Sequence, residues 1–197
     1  MSSAPVDDAL INNFISQLES KGIKAVVFDF DCTITIKHSG GRVRDEKMPA
    51  YLEHNISPVF HQLLPSLLSR SFAVGVATFA DAYRAPAHYV AGEDLVRKHF
   101  EHYFGNPYTN EVMVVAAYPE NYQEEVHWRA RGLSGPMPNS KEFHLQTLMR
   151  KFETDAKQTA LVDDDRNNIQ SAKSDGHLTV LVRDRQGLMP RDLEAPM

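Results

Sequence analysis

The chain has 197 residues, 42% hydrophobic and 24% charged, the balance of a globular domain large enough to bury about 70% of the surface its unfolded form exposes. A formal net charge of -5 without any basic stretch argues against a nucleic-acid footprint, and no apolar run approaches the roughly 20 residues of a membrane span. One cysteine excludes an internal disulfide framework, and the Met1-Ser2-Ser3-Ala4-Pro5 start lacks the basic-then-apolar pattern of a secretory leader. The expectation is one domain over residues 1–197, in a reducing, cytoplasmic compartment.

In chain order, Leu10, Ile11, Phe14, Ile15 and Leu18 follow Asp7-Asp8 at helical spacing, and Gly22 is a natural stop. Residues 1–23 therefore read as an N-terminal helix packed on the domain. The run from Lys24 to Phe30 is a buried strand. Residues 32–47 are polar, with Ile34 and Ile36 alternating before Gly40-Gly41, which predicts a β-hairpin flap. Ser57-Pro58 opens a helix carrying Leu63, Leu64, Leu67 and Leu68, with Pro65 expected to kink or shorten it.

A second strand, Phe72 to Ala77, ends at Thr78, and a helix from Glu93 to Tyr103 is closed by Gly105. Val112 to Ala116 is a third apolar run, followed by residues 119–138, which show no period and read as an irregular loop. Asn139 to Glu142 matches a capping box before a helix bearing Phe143, Leu145, Leu148, Met149 and Phe152. Strands near 159–162 and 178–182 flank a short helix, and the tail from Asp184 reads as loop. This alternation predicts an α/β class, a Rossmann-like parallel sheet sandwiched by helices. In such sheets ligands bind beyond the carboxyl ends of the strands, where Asp29, Asp31, Thr78 and Asp164 all fall.

Asp29 and Asp31 sit two residues apart where the first strand ends, so strand alternation turns both to one side. At about 4 Å, two such charges repel by roughly 4 kcal/mol at an effective dielectric near 20. Relief means a bound cation, a proton held between them, or both.

The series Asp29-x-Asp31-x-Thr33, then Thr78, Lys141 and Asp163-Asp164-Asp165, each in order, resembles the four motifs of the haloacid dehalogenase (HAD) superfamily of phosphatases. The resemblance implies a Mg2+-dependent phosphomonoesterase. Asp29 would be the nucleophile that forms an aspartyl-phosphate, and Asp31 the general acid and base. Thr78 and Lys141 would bind phosphate. It implies Mg2+ on Asp29, on Asp31 through its backbone carbonyl, and on Asp164, with Asp165 as second candidate. Position 163 is Asp where Gly is common, and Asn168 stands where Asp is common.

Cys32 follows the pair where Gly is frequent; a redox switch and a small buried side chain are its two readings. Tyr122, Trp128, Arg129 and Arg131 form either a substrate rim or the anchor of a long loop. Short insertions imply a small flap and a minimal cap, hence an open site for a phosphoprotein or another bulky phosphorylated substrate. The alternatives are a sugar- or nucleotide-phosphatase and a catalytically silent interaction domain of the same fold. A response-regulator receiver does not fit, because its phosphorylated Asp lies two strands after the acidic pair.

Overall fold

A computed structural model describes residues 6–83 and 85–194. Helix α1 (Asp8–Ser20) starts where the Asp7 carboxylate accepts the Ala9 N–H at 2.8 Å, and buries Ile11, Phe14, Ile15 and Leu18. Strand β1 (Ala25–Phe28) is buried throughout and runs into a wide turn over Phe30–Ile34, closed by the Thr35 N–H on the Phe30 carbonyl at 3.0 Å. Cys32, inside that turn, has φ 61°, the left-handed conformation that explains a preference for Gly there.

Strand β2 (Arg42–Arg44) and helices α2 (Met48–Leu52) and α3 (Pro58–Ser69) lead to β3 (Ala73–Thr78). Next come β4 (Tyr89–Ala91), α4 (Gly92–Phe104), α5 (Asn106–Glu111) and β5 (Met113–Ala116). The chain continues through α6 (Glu125–Ala130), α7 (Glu142–Phe152), β6 (Thr159–Asp163), α8 (Arg166–Ser174), β7 (Leu178–Leu181) and the single-turn α9 (Pro190–Leu193). The five long strands form a parallel sheet in the order β5-β3-β1-β6-β7. The chain builds outward from β1 through β3 to β5, then returns to the other side for β6 and β7. That reversal between β1 and β6 opens a crevice at their carboxyl ends.

Alternate side chains of β1 serve opposite layers. Val26 and Phe28 face α1, α3 and α4 in a cluster with Phe14, Phe60, Leu64 and Phe100, whereas Val27 joins Leu145 and Leu148 of α7 and Ala172 of α8. Gly75 of β3 lets α7 come close: a Cβ there would lie 2.9 Å from Leu148 Cδ1.

Several local expectations change. The flap is no self-contained hairpin, because β2 pairs antiparallel with β4, bringing Val43 opposite Val90. Residues 119–138 are not wholly irregular: a 3-10 turn spans Pro119–Tyr122 and α6 follows. Pro65 neither ends nor shortens α3, since Leu63, Leu64 and Leu67 on both sides of it are fully buried and packing holds the helix. At the start of α7, Lys141 is the N-cap, and the Ser140 hydroxyl rather than Asn139 accepts the Glu142 N–H. The tail carries α9, where the Asp192 carboxylate accepts the Met189 N–H at 2.9 Å. No helix of the described residues is long and apolar enough to cross a membrane.

Candidate active site

Asp29 leaves β1 in extended conformation and donates its N–H to the Val162 carbonyl at 2.8 Å, which fixes it against β6. Its carboxylate Oδ1 accepts from Lys141 Nζ at 2.7 Å. The same ammonium donates to the Ala77 carbonyl at 2.8 Å and stands 3.8 Å over the Phe79 ring. Lys141 is 1% exposed, so this is a buried ion pair held by α7. Burial outweighs the lysine and pushes the Asp29 carboxyl up to about 6, helped by the charges of Asp164 and Asp31.

Asp163, fully buried, is held well above the usual carboxylate range by burial and then by Asp29. It accepts the Asp165 N–H at 2.7 Å and Asn168 Nδ2 at 3.1 Å. Asn168 is thus a buried partner of the acidic end of β6, not a surface residue of α8. Asp164 is also shifted upward, by burial, against the opposing pull of Arg185, whose Nε donates to Asp164 Oδ2 at 2.9 Å. Carboxylate oxygens of Asp29, Asp163 and Asp164 all lie within 4.8 Å of one another. Three carboxylates so close, with their protons held abnormally tightly, form a donor set short of positive charge. An oxygen-only set of this kind fits a hard divalent cation.

Asp31 is presented by the turn after β1 rather than by the strand itself. Its carboxylate accepts the Ser39 N–H at 2.9 Å and the Ser39 hydroxyl at 2.7 Å, which ties it to the flap. Thr78 ends β3, and its hydroxyl accepts the Ala80 N–H at 3.0 Å. Below it, His144 Nε2–H is shared between the Thr78 and Ala117 carbonyls at 3.1 and 3.0 Å. Burial pushes His144 down to about 3, so it is a neutral donor that fastens the ends of β3 and β5.

Asp29, Asp31, Thr78 and Asp164 line one cavity of about 560 Å3, with Lys141 beneath Asp29. Asp165 also borders it, but its carboxylate caps α8 by accepting the Asn167 N–H at 2.7 Å. The convergent acid beside Asp29 and Asp164 is therefore Asp163, the last residue of β6. Trp128, Arg129 and Arg131 do not line the cavity. Trp128 packs beside Tyr122 and Met137 and Arg131 donates to the Ala116 carbonyl, which anchors the segment after β5, whereas Arg129 pairs with Glu125 on the exposed side of α6. The rim is instead made by Tyr83, Tyr118, Asn121 and Arg185. Asp81 joins it together by accepting from the N–H groups of Tyr83 and Tyr118 and from Asn121 Nδ2. Burial pushes the Cys32 thiol up to about 11, which keeps it protonated and favours the small-buried-side-chain reading.

No protein-family model and no curated protein matches the chain. Solved structures do match, at low identity. One is the N-terminal part of a Bacteroides fragilis protein containing a phosphatase domain, complexed with Mg, at 16% identity and a TM-score of 0.55. The match covers 93% of this chain and 42% of that one. A second is the GPDH of Dunaliella salina, at 15% identity and a TM-score of 0.50, covering 98% of this chain and 28% of that one. A haloacid dehalogenase-like family protein of Streptococcus pneumoniae matches at 12% identity and a TM-score of 0.47, covering 88% of this chain and 90% of that one. The chain shares the fold of that Bacteroides fragilis phosphatase domain, a five-stranded parallel sheet flanked by helices.

Proposed function

We propose that the chain is a Mg2+-dependent phosphomonoesterase working through an aspartyl-phosphate on Asp29. The observation that carries this reading is the buried Lys141–Asp29 pair at the edge of a cavity shared with Asp31, Thr78 and Asp164. Lys141 engages Asp29 Oδ1, which leaves Oδ2 to attack phosphorus. As the Asp29–phosphorus bond forms and the ester bond breaks, Asp31 gives its proton to the departing oxygen. Asp31 then takes a proton from water, whose oxygen displaces Asp29 from phosphorus and regenerates both carboxyl groups. The Thr78 hydroxyl and Lys141 bind the phosphoryl oxygens.

Asp29 and Asp164, with the backbone carbonyl of Asp31, would hold Mg2+, and Asp163 takes the place first given to Asp165. When bound, the ion supplies charge neutralisation for the phosphoryl group. The need for it is electrostatic. The cavity is lined by the carboxylates of Asp29, Asp31, Asp81, Asp163, Asp164 and Asp165, against Arg42 and Arg185. A phosphate dianion enters such a wall only after part of that charge is cancelled.

Cavity volume favours a small phosphate ester over a phosphoprotein, since about 560 Å3 lies within the usual 300–1,000 Å3 of small-ligand pockets. The single cysteine, buried and unpaired, supports a cytoplasmic setting. Hydrolysis of an aryl phosphate in the presence of Mg2+ tests the reading. Expected are turnover, its loss in excess EDTA with recovery on adding Mg2+, and a fall of at least about 10^3-fold in Asp29→Asn. Turnover that survives both treatments would sink it, and a complete lack of turnover would favour a silent interaction domain.

A further inference from the structure

The Arg185–Asp164 ion pair stands between two cavities. Both residues line the active-site cavity and also a second one of about 520 Å3, to which Arg166 and Arg183 contribute. Arg185 uses only Nε in the pair, and its two Nη groups donate to nothing among the described residues. The side chains of Arg166 and Arg183 make no hydrogen bond or ion pair among the described residues either. Three arginines therefore border one cavity with most of their side-chain donors uncommitted among the described residues.

The acids of the same cavity are already engaged elsewhere. Asp165 caps α8, and Asp184 pairs with Arg191. Asp164 is the exception, because a cation held on Asp29 and Asp164 would take over the charge that Arg185 now neutralises. Arg185 would then be free to turn to an anion bound across the Asp164 and Asp165 edge that the two cavities share, with Arg166 and Arg183 beside it.

The backbone is built to present that side chain. Asp184 and Arg185 are consecutive non-glycine residues at φ 64° and 52°, a conformation disfavoured by their Cβ atoms. The loop is fastened to the turn that carries Asp31 by the Gly187 N–H on the Cys32 carbonyl at 3.1 Å and the Leu188 N–H on the Thr33 carbonyl at 2.8 Å. Those two bonds hold the loop, and with it Arg185, beside the segment that carries Asp31.

Resting on the phosphoryl-transfer reading above, we propose that the second cavity is a subsite for a second anionic group on the substrate. That group is a carboxylate or a further phosphoryl, and Arg185, flanked by Arg166 and Arg183, determines specificity for it. The planar fork of Arg185 suits either group bidentately once Asp164 releases it.

Calorimetric titration of the full chain at saturating Mg2+ provides the test, with methylphosphonate as the singly substituted probe and phosphonoacetate as the probe that adds a carboxylate. Phosphonoacetate is expected to bind at least tenfold more tightly, and Arg185→Gln and Arg183→Gln are each expected to cut that advantage severalfold. The ratio of the two affinities cancels any change in metal occupancy caused by the substitution. The Arg185 side chain is 68% exposed, so its replacement leaves the core untouched. Equal affinity for both probes, or an advantage undiminished in both variants, overturns the subsite alone. Binding of neither probe overturns the phosphoryl site and the subsite with it.

Discussion

The two faces of the sheet are packed to different ends. Against α1, α3 and α4 the filling is large and aromatic: Phe60 meets Phe28 and Phe100 edge to face at 5.0 and 5.8 Å, and the surrounding leucines are fully buried. Against α7 and α8 the filling is small, with Gly75, Ala77 and Ala172 under Leu145 and Leu148. Small residues let α7 press onto β3, and that approach delivers Lys141 to Asp29 and His144 to the ends of β3 and β5. One face holds the fold through apolar area; the other gives up area for the placement of charged and polar groups.

Substitutions on the two faces should therefore separate stability from activity. The largest effect is expected from Lys141→Met on the α7 face, which should lower turnover of an aryl phosphate by at least about 10^2-fold. Its melting temperature should change little, because Asp29, with a carboxyl pushed up to about 6, can take a proton when its partner is gone. Equal losses of activity and stability would break the distinction between the faces.

Phe60→Ala on the opposite face should do the reverse, costing about 3–5 kcal/mol in denaturant unfolding while the folded fraction keeps its turnover number.

A third contrast lies in pH. Burial pushes His99, in α4, down to about 4 while its Nε2–H donates to the Asn55 carbonyl at 2.7 Å. The unfolded chain gains a proton at His99 near pH 6.5, but the folded one resists until about 4. The stabilisation is therefore whole above pH 6.5 and is lost as pH falls towards 4, by about 3 kcal/mol in all. His144 acts with the same sign down to about 3. Asp29, with its carboxyl pushed up to about 6, contributes with the opposite sign in this range. The loss is therefore read as the difference in unfolding midpoint between the unmodified chain and His99→Phe from pH 7.5 to 4.5. An unchanged slope in that variant would place the dependence elsewhere.

The smallest effect sharpens the comparison most. Gly75→Ala places a methyl 2.9 Å from Leu148 Cδ1, so the Leu148 side chain or α7 itself must give way. The expected cost is about 1–3 kcal/mol, together with a fall in turnover larger than the lost stability explains, read as kcat at a temperature where the variant is fully folded. A loss of stability alone would mean that Lys141 does not depend on how closely α7 sits.

Much of the framework was legible along the chain because it rests on local periodicity. Alternating apolar runs marked the strands, i/i+3/i+4 leucines marked α3 and α7, and acids directly after apolar runs placed Asp29 and Asp164 at strand ends. Thr78 and Lys141 were found through order along the sequence. The partner of the flap was not legible, since β2 bonds to β4 across a long stretch of chain and neither strand has an apolar run of its own. Trp128, Arg129 and Arg131 were attractive as residue types, yet none of them lines the cavity. Arg185 carried no signal at all, being one arginine in a polar tail.

By itself the sequence determined which carboxylates end which strands, because burial of an apolar strand and exposure of its polar end are local consequences of side-chain chemistry. Only the tertiary structure decided between the acids of Asp163-Asp164-Asp165. Asp165 is drawn off to cap α8, Asp163 is turned inward by the pleat of β6, and Asp164 is met by an arginine from beyond β7. Those assignments depend on strand neighbours and helix starts that meet only once the sheet has closed its order around β1.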